Sequence, residues 1–361
     1  MKPSIPHVLA LAASILTIST ASLYAAQNII DGFNGSSINT GVWEVRLAQW
    51  GGTGRNGGVI PENVSIADGI VSIDGNGDLY TGPKRGWNAN GYREDHGRRS
   101  GGAIRTREPQ GPGRFEVRMK PVFEDGVTTA MWTFFYNFNG GDVINHEIDI
   151  ELLNRQTASP TGFRSDYTTM NTWLGEIPSQ ANLQRVSIID EEGDPAPQDL
   201  GGFHTYRFDW FAGEGVANPR VEFYVDGVHH YTSREFIPTI PGRFTVGMWF
   251  PFNWAGQPDF VTRTLEIDRV AITPLANIIP GDATGDGQVN LTDLSILASN
   301  FGSTEAAWSL GDFSGEGEVN LVDLSLLASN FGQTTADLPE PGTLTLSLLA
   351  LATTARRALR P

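Results

Sequence analysis

The chain of 361 residues contains no cysteine, so no disulfide framework is available and stability has to come from an ordinary large hydrophobic core. Basic residues are scarce as well. Twenty-five Lys and Arg stand against 41 Asp and Glu, a net charge of −16, which leaves no basic patch for a phosphate backbone and excludes nucleic acid as a partner. Long hydrophobic runs are also missing: the apolar stretches at 8–16 and 343–355 fall short of the ~20 residues that span a bilayer. Between 27 and 274 no stretch of 12 residues keeps a helical period, which argues against an α or α/β fold there.

What is present divides the chain into four parts. Lys2, the apolar run at 8–16 and the small residues up to Ala26 have the layout of a secretory signal peptide over 1–26, so the protein is expected to be exported, to the extracellular space or the cell surface. Residues 27–274 mix 31 acidic with 21 basic residues. They alternate in short runs such as Arg114–Phe115–Glu116–Val117–Arg118–Met119 and Val221–Glu222–Phe223–Tyr224–Val225, broken by turn pairs such as Asp226–Gly227. This pattern predicts a mainly β domain built as a sandwich of two antiparallel sheets. Residues 275–336 carry acidic residues and no Lys or Arg, and 337–361 form a tail.

The most informative segment is Asn145–His146–Glu147–Ile148–Asp149–Ile150–Glu151. Its period of two is that of a strand, so Glu147, Asp149 and Glu151 share one face while Ile148 and Ile150 point into the core and His146 points away from the carboxylates. Successive members of the trio then stand about 6.5–7 Å apart. Repulsion at that spacing raises the pKa of each and costs stability, which makes a functional origin more economical than a structural one. Glutamates four apart on a strand can lean to about 5–5.5 Å, the separation at which one carboxylate attacks an anomeric carbon and the other protonates the leaving oxygen. Asp149, between them, couples the titrations. No metal or other cofactor is needed for such chemistry. Sugar rings stack on aromatic faces, and Trp132 and Trp173 are the candidates for substrate binding.

The motif resembles the signature of glycoside hydrolase family 16, the lichenase and laminarinase superfamily. Gly113–Arg114–Phe115–Glu116–Val117–Arg118–Met119–Lys120 and Ala130–Met131–Trp132–Thr133–Phe134 resemble the strands before the catalytic one, and Phe203–His204–Thr205–Tyr206–Arg207–Phe208–Asp209–Trp210 one that follows. The resemblance implies a concanavalin A-like β-jelly roll with a glycan cleft, Glu147 as nucleophile and Glu151 as acid/base. The strand lacks the extra residue found before the last Glu in many laminarinases. The resemblance therefore leans toward a polysaccharide substrate of mixed-linkage β-1,3-1,4-glucan type, cut internally with retention. A transglycosylase, a galactan hydrolase and a non-catalytic glycan-binding surface protein are the competing readings.

Residues 282–302 and 312–332 repeat at an offset of 30, each ending in Leu-Ala-Ser-Asn-Phe-Gly. Each copy places oxygen-bearing side chains as a calcium loop does, with Gly at the sixth position, followed by a helix. The candidate ligands are Asp282, Thr284, Asp286, Gln288, Asn290 and Asp293 in the first loop. Asp312, Ser314, Glu316, Glu318, Asn320 and Asp323 occupy the second. Leu294, Leu297 and Phe301 are expected on one helix face. The repeat resembles the type I dockerin, a small α-helical, EF-hand-like module, which implies Ca2+ in the loops and a cohesin-like protein partner. The tail, Leu338–Pro339–Glu340–Pro341 followed by an apolar stretch and three arginines, resembles a Pro-Glu-Pro sorting signal processed by an exosortase-type enzyme.

Overall fold

The computed structural model describes residues 27–51, 56–88, 91–93, 99–139, 142–153, 167–176, 180–199, 201–213, 216, 218–251 and 254–335. The expected signal peptide and sorting tail lie outside them. Two antiparallel sheets are packed face to face, joined through a single pairing of Asn76 with Ser100. The first runs in the order Gln180–Ser187, Tyr167–Glu176, Asp142–Leu153, Thr128–Asn139, Arg243–Trp249, Arg99–Thr106. The second runs Ile70–Asn76, Thr262–Pro274, Gly113–Lys120, His204–Phe211, Arg220–Val225, Val228–Ser233.

Alternation decides which face each strand buries. In Gly113–Lys120 the apolar Phe115, Val117 and Met119 are fully buried while Glu116 and Arg118 turn outward. Ile148 and Ile150 enter the same core from the first sheet. Phe115 and Phe208 of the second sheet stack with centroids 4.8 Å apart, and Phe244 of the first sheet meets Phe115 at 5.4 Å, so the rings interlock the two layers.

Strand Arg220–Val225 departs from the half-buried pattern expected of it: all six residues are buried. The acidic repeat lies over its outer face, where Trp308 N donates to Glu222 at 3.1 Å. The polar residues that alternation would leave in water are thereby covered.

The repeat folds into two loop-helix units with helices α1 (Leu291–Ser299) and α2 (Leu321–Asn330). Each helix opens with a capping box: Asn290 accepts from Thr292 N and its own N–H donates to Asp293, and Asn320 with Asp323 does the same for α2. Leu297 and Leu327 enter the module's core, with Leu294 partly buried against it. Phe301 does not join them. The helix stops at Ser299, the chain leaves the helical path at Asn300, and Phe301 is 50% exposed.

Candidate active site

Strand Asp142–Leu153 is the third of its sheet and is paired on both sides, which fixes the direction of each side chain. Glu147 lies in register with Phe134 on one neighbour and Trp173 on the other; Asp149 lies with Trp132 and Asn171; Glu151 lies with Ala130 and Thr169. The three carboxylates therefore share one face, and the residues paired with them face the same way. The carboxylates line a cleft of about 350 Å3. Trp132 and Phe134 flank the carboxylates within it, and Gln49, Trp50 and Trp249 also line it.

Hydrogen bonds hold each carboxylate separately. Asn145 Nδ2 donates to Glu147 at 3.1 Å, Trp173 Nε1 to Asp149 at 2.9 Å, and Asn171 Nδ2 to Glu151 at 3.3 Å. Burial pushes Glu147 up to about 7, against the hydrogen bonds from Asn145 and Asp149. It pushes Glu151 to about 7 as well, reinforced by the charge of Glu147. Asp149, between the two, is raised well above the ordinary carboxylate range: burial acts first, and the charges of Glu147 and Glu151 add to it. Three such groups cannot all ionise near neutral pH. Asp149 hydrogen-bonds to Glu147, so the three carboxyls titrate as a linked set that shares its protons near neutral pH.

The expected site residues divide in two. Glu147, Asp149, Glu151 and Trp132 come together at the cleft. Trp173 lies on the same sheet face beside Glu147, but its indole N–H is spent on Asp149 and its ring is not among the cleft-lining groups. His146 faces the other way, as alternation requires, and its Nδ1 accepts from the backbone of Thr239 at 3.1 Å. Sequence reasoning did not single out Trp50 or Gln49, whereas the segment that starts at Trp249 resembles one near the cleft of bacterial family members and does reach it. Trp50 meets Trp132 edge-on at 5.5 Å. It gets there through Gly51, whose φ of 78° and contact with the Phe250 carbonyl leave no room for a side chain. Asn145 and Asn171 were also missed, although Asn145 carries a readable signal: it stands two residues before Glu147, on the same face.

In the repeat, the first and twelfth loop positions converge. Thr284 Oγ1 lies 3.1 Å from both Asp282 Oδ1 and Asp293 Oδ1, and both aspartates are buried. In the second loop Ser314 Oγ donates to Asp312 at 3.1 Å and Ser314 N to Asp323 at 2.8 Å. Burial raises Asp282 and Asp312, and the facing aspartate adds to it in each loop. A buried pair of like charges bridged by a hydroxyl fits a divalent cation. The fifth-position side chains make hydrogen bonds within their own loops: Asp286 accepts from Gln288 N at 2.9 Å, and Glu316 accepts from the Asn320 amide. Among the described residues no three His, Cys, Asp or Glu side chains are placed so that together they could hold a metal ion.

Comparison with known proteins matches residues 76–269 to the family described as glycosyl hydrolases family 16, and residues 280–332 to the dockerin type I domain. A β-glucanase of Acetivibrio thermocellus is 28% identical over 222 residues, covering 54% of this chain and 58% of that protein. A β-glucanase of Bacillus subtilis (strain 168) is 30% identical over 148 residues, covering 41% of this chain and 51% of that one. The chain thus spans little more than half the length of these relatives. The catalytic domain of an endo-1,3-β-glucanase (laminarinase) from Thermotoga petrophila RKU-1 shares the fold. Its TM-score is 0.50 at 17% identity, over 68% of this chain and 97% of that one.

Proposed function

The chain belongs to glycosyl hydrolases family 16 and carries a type I dockerin domain, and from that premise we propose that it is an exported, retaining endo-β-glucanase acting on mixed-linkage β-1,3-1,4-glucan. The observation that carries the reading is the carboxylate trio of one strand, which lines the cleft beside Trp132 with each member held by its own hydrogen bond. Glu147 attacks the anomeric carbon and forms a glycosyl ester. Glu151 gives its proton to the glycosidic oxygen as the C–O bond breaks. Water then enters, Glu151 takes its proton, and the hydroxide displaces Glu147 with a second inversion. Asp149 donates a hydrogen bond to the attacking Glu147 carboxylate and so stabilises its anionic form. The unbulged Glu147–Ile–Asp149–Ile–Glu151 spacing is the basis for the mixed-linkage preference, supported by the likeness to two β-glucanases.

The dockerin's natural partner class is a cohesin, and its loop carboxylates and hydroxyls are the groups that would hold Ca2+, which supplies charge neutralisation and loop rigidity when bound. Release of reducing ends and short oligosaccharides from barley β-glucan by the wild type, and their absence with Glu147→Gln, is the expected result. Faster cleavage of laminarin or agarose would overturn the substrate assignment, and equal turnover by Glu147→Gln the mechanism.

A further inference from the structure

Dockerin repeats are easily pictured as appendages on a tether, yet here only six residues, 275–280, separate the last sandwich strand from Gly281. That connection is itself held: a 3-10 turn occupies Leu275–Asn277 and Leu275 N donates to Pro112 O at 3.0 Å. Beyond it the repeat is fastened to the outer face of the sandwich. Phe211 of the sandwich stacks on Trp308 of the repeat with centroids 5.2 Å apart and planes 19° from parallel. Phe211 belongs to the same apolar cluster as Val289, Leu297, Phe313 and Leu327. Polar contacts surround this stack. Trp308 N donates to Glu222 at 3.1 Å, Asn218 Nδ2 to Ser314 O at 2.9 Å, and Arg234 Nη1 to Gly315 O at 2.6 Å.

The two loops meet the sandwich in the same way. At the fourth position of each loop stands a glycine, Gly285 or Gly315, and a β-carbon there would collide with the guanidinium of Arg114 or Arg220. Both arginines are tied to sandwich carboxylates, Arg114 to Asp209 at 2.9 Å and Arg220 to Glu222 at 2.6 Å, and Arg220 also lies 4.0 Å over the Phe211 ring. Arg220 and Glu222 are 3% and 1% exposed. A charged pair that dry on an outer sheet face is a feature of a permanent interface. The positive groups stand against loops whose buried aspartates repel each other, so each arginine also offsets the negative charge of the loop it touches. Meanwhile Leu291, Phe301, Leu321, Val322 and Phe331 remain exposed with the sandwich in place.

We propose that the repeat is a fixed part of the enzyme: the sandwich face of Phe211, Asn218, Arg220, Glu222 and Arg234 is its receptor, the two unfold as one unit, and any protein bound by the exposed helix residues is held in one orientation to the cleft. The inference is independent of which glycan is cut. Its test is calorimetric unfolding of the full chain together with limited proteolysis, cleavage being followed at residues 275–281. The wild type should melt in a single transition. Asn218→Ala combined with Arg234→Ala removes two interface donors from the sandwich surface and leaves every residue of the repeat itself unaltered. Trp308→Ala removes the stacked ring from the other side. Each should split off an earlier transition and speed cleavage at 275–281 by roughly tenfold, as the population of the opened form rises. If Trp308→Ala unfolds the repeat outright, the Asn218/Arg234 pair still decides the matter, because the repeat's own core is untouched. Two wild-type transitions, or a wild-type cleavage rate equal to that of the Asn218/Arg234 variant, would overturn the proposal.

Discussion

Replacing Glu151 by Gln should make the protein more stable, and increasingly so as the pH rises. The wild-type carboxyl is raised from an ordinary 4.5 to about 7 by burial and by the neighbouring charge of Glu147. A carboxyl whose pKa is raised on folding favours the folded state below its unfolded value, and that advantage is lost as pH rises through the folded value. At about 1.4 kcal/mol per pH unit the rise corresponds to roughly 3 kcal/mol. Water in the open cleft screens part of this, which brings the expected figure to about 2 kcal/mol. The amide introduced by Glu151→Gln would keep an acceptor for Asn171 Nδ2, carry no charge at any pH, and relieve the repulsion on Asp149. The variant should therefore match the wild type near pH 4 and exceed it above pH 7.5. The gain corresponds to roughly 4–8 °C in melting temperature for a domain of this size. Thermal unfolding of both proteins from pH 4 to 8.5 reads it directly. Equal melting curves at pH 8.5, or a variant less stable there, would refute the account of a charge held in the cleft against its desolvation.

Glu147→Gln should lower turnover by ~1,000-fold or more with the fold and glucan binding retained, since no other group forms the ester; activity within tenfold of wild type would remove Glu147 as nucleophile. Trp132→Ala is expected to raise KM roughly tenfold through loss of ring stacking. Trp173→Phe should instead lower kcat with little change in KM, because what it loses is the indole donor to Asp149. The reverse pattern would exchange their roles. Millimolar Ca2+ should raise the melting temperature of the full chain, with Asp286→Ala weakening binding more than Glu316→Ala because the shorter side chain suits the fifth loop position; no calorimetric heat in the wild type would leave the loops held by their hydrogen bonds alone.

The parts of the molecule that could be read from the sequence are those specified locally. Alternation over seven residues is enough to put Glu147, Asp149 and Glu151 on one face and to turn His146 away, since a strand has no other way to point its side chains. The offset of 30 exposed the repeat, and the Asn290–Asp293 and Asn320–Asp323 spacings foretell both loop and helix cap. Other features depend on residues far apart in the chain. Trp50 reaches the cleft only through the tertiary fold, and Phe211 meets Trp308 across 97 positions. Likewise, nothing near Trp173 distinguishes a ring that stacks on sugar from one that anchors a carboxylate across the ladder. Phe301 was misplaced because helical spacing was extended past Ser299, where the helix has already ended.

The central claim is that Glu147 and Glu151 cut a β-glucan by two successive displacements. Time-resolved proton NMR of barley β-glucan hydrolysis tests it most directly, since the anomeric configuration of the new reducing end is recorded before mutarotation scrambles it. Retention predicts that the β-anomer signal rises first and the α-anomer follows at the rate of mutarotation. An α-anomer appearing first would mean a single inverting displacement and would contradict the assignment of Glu147 as nucleophile.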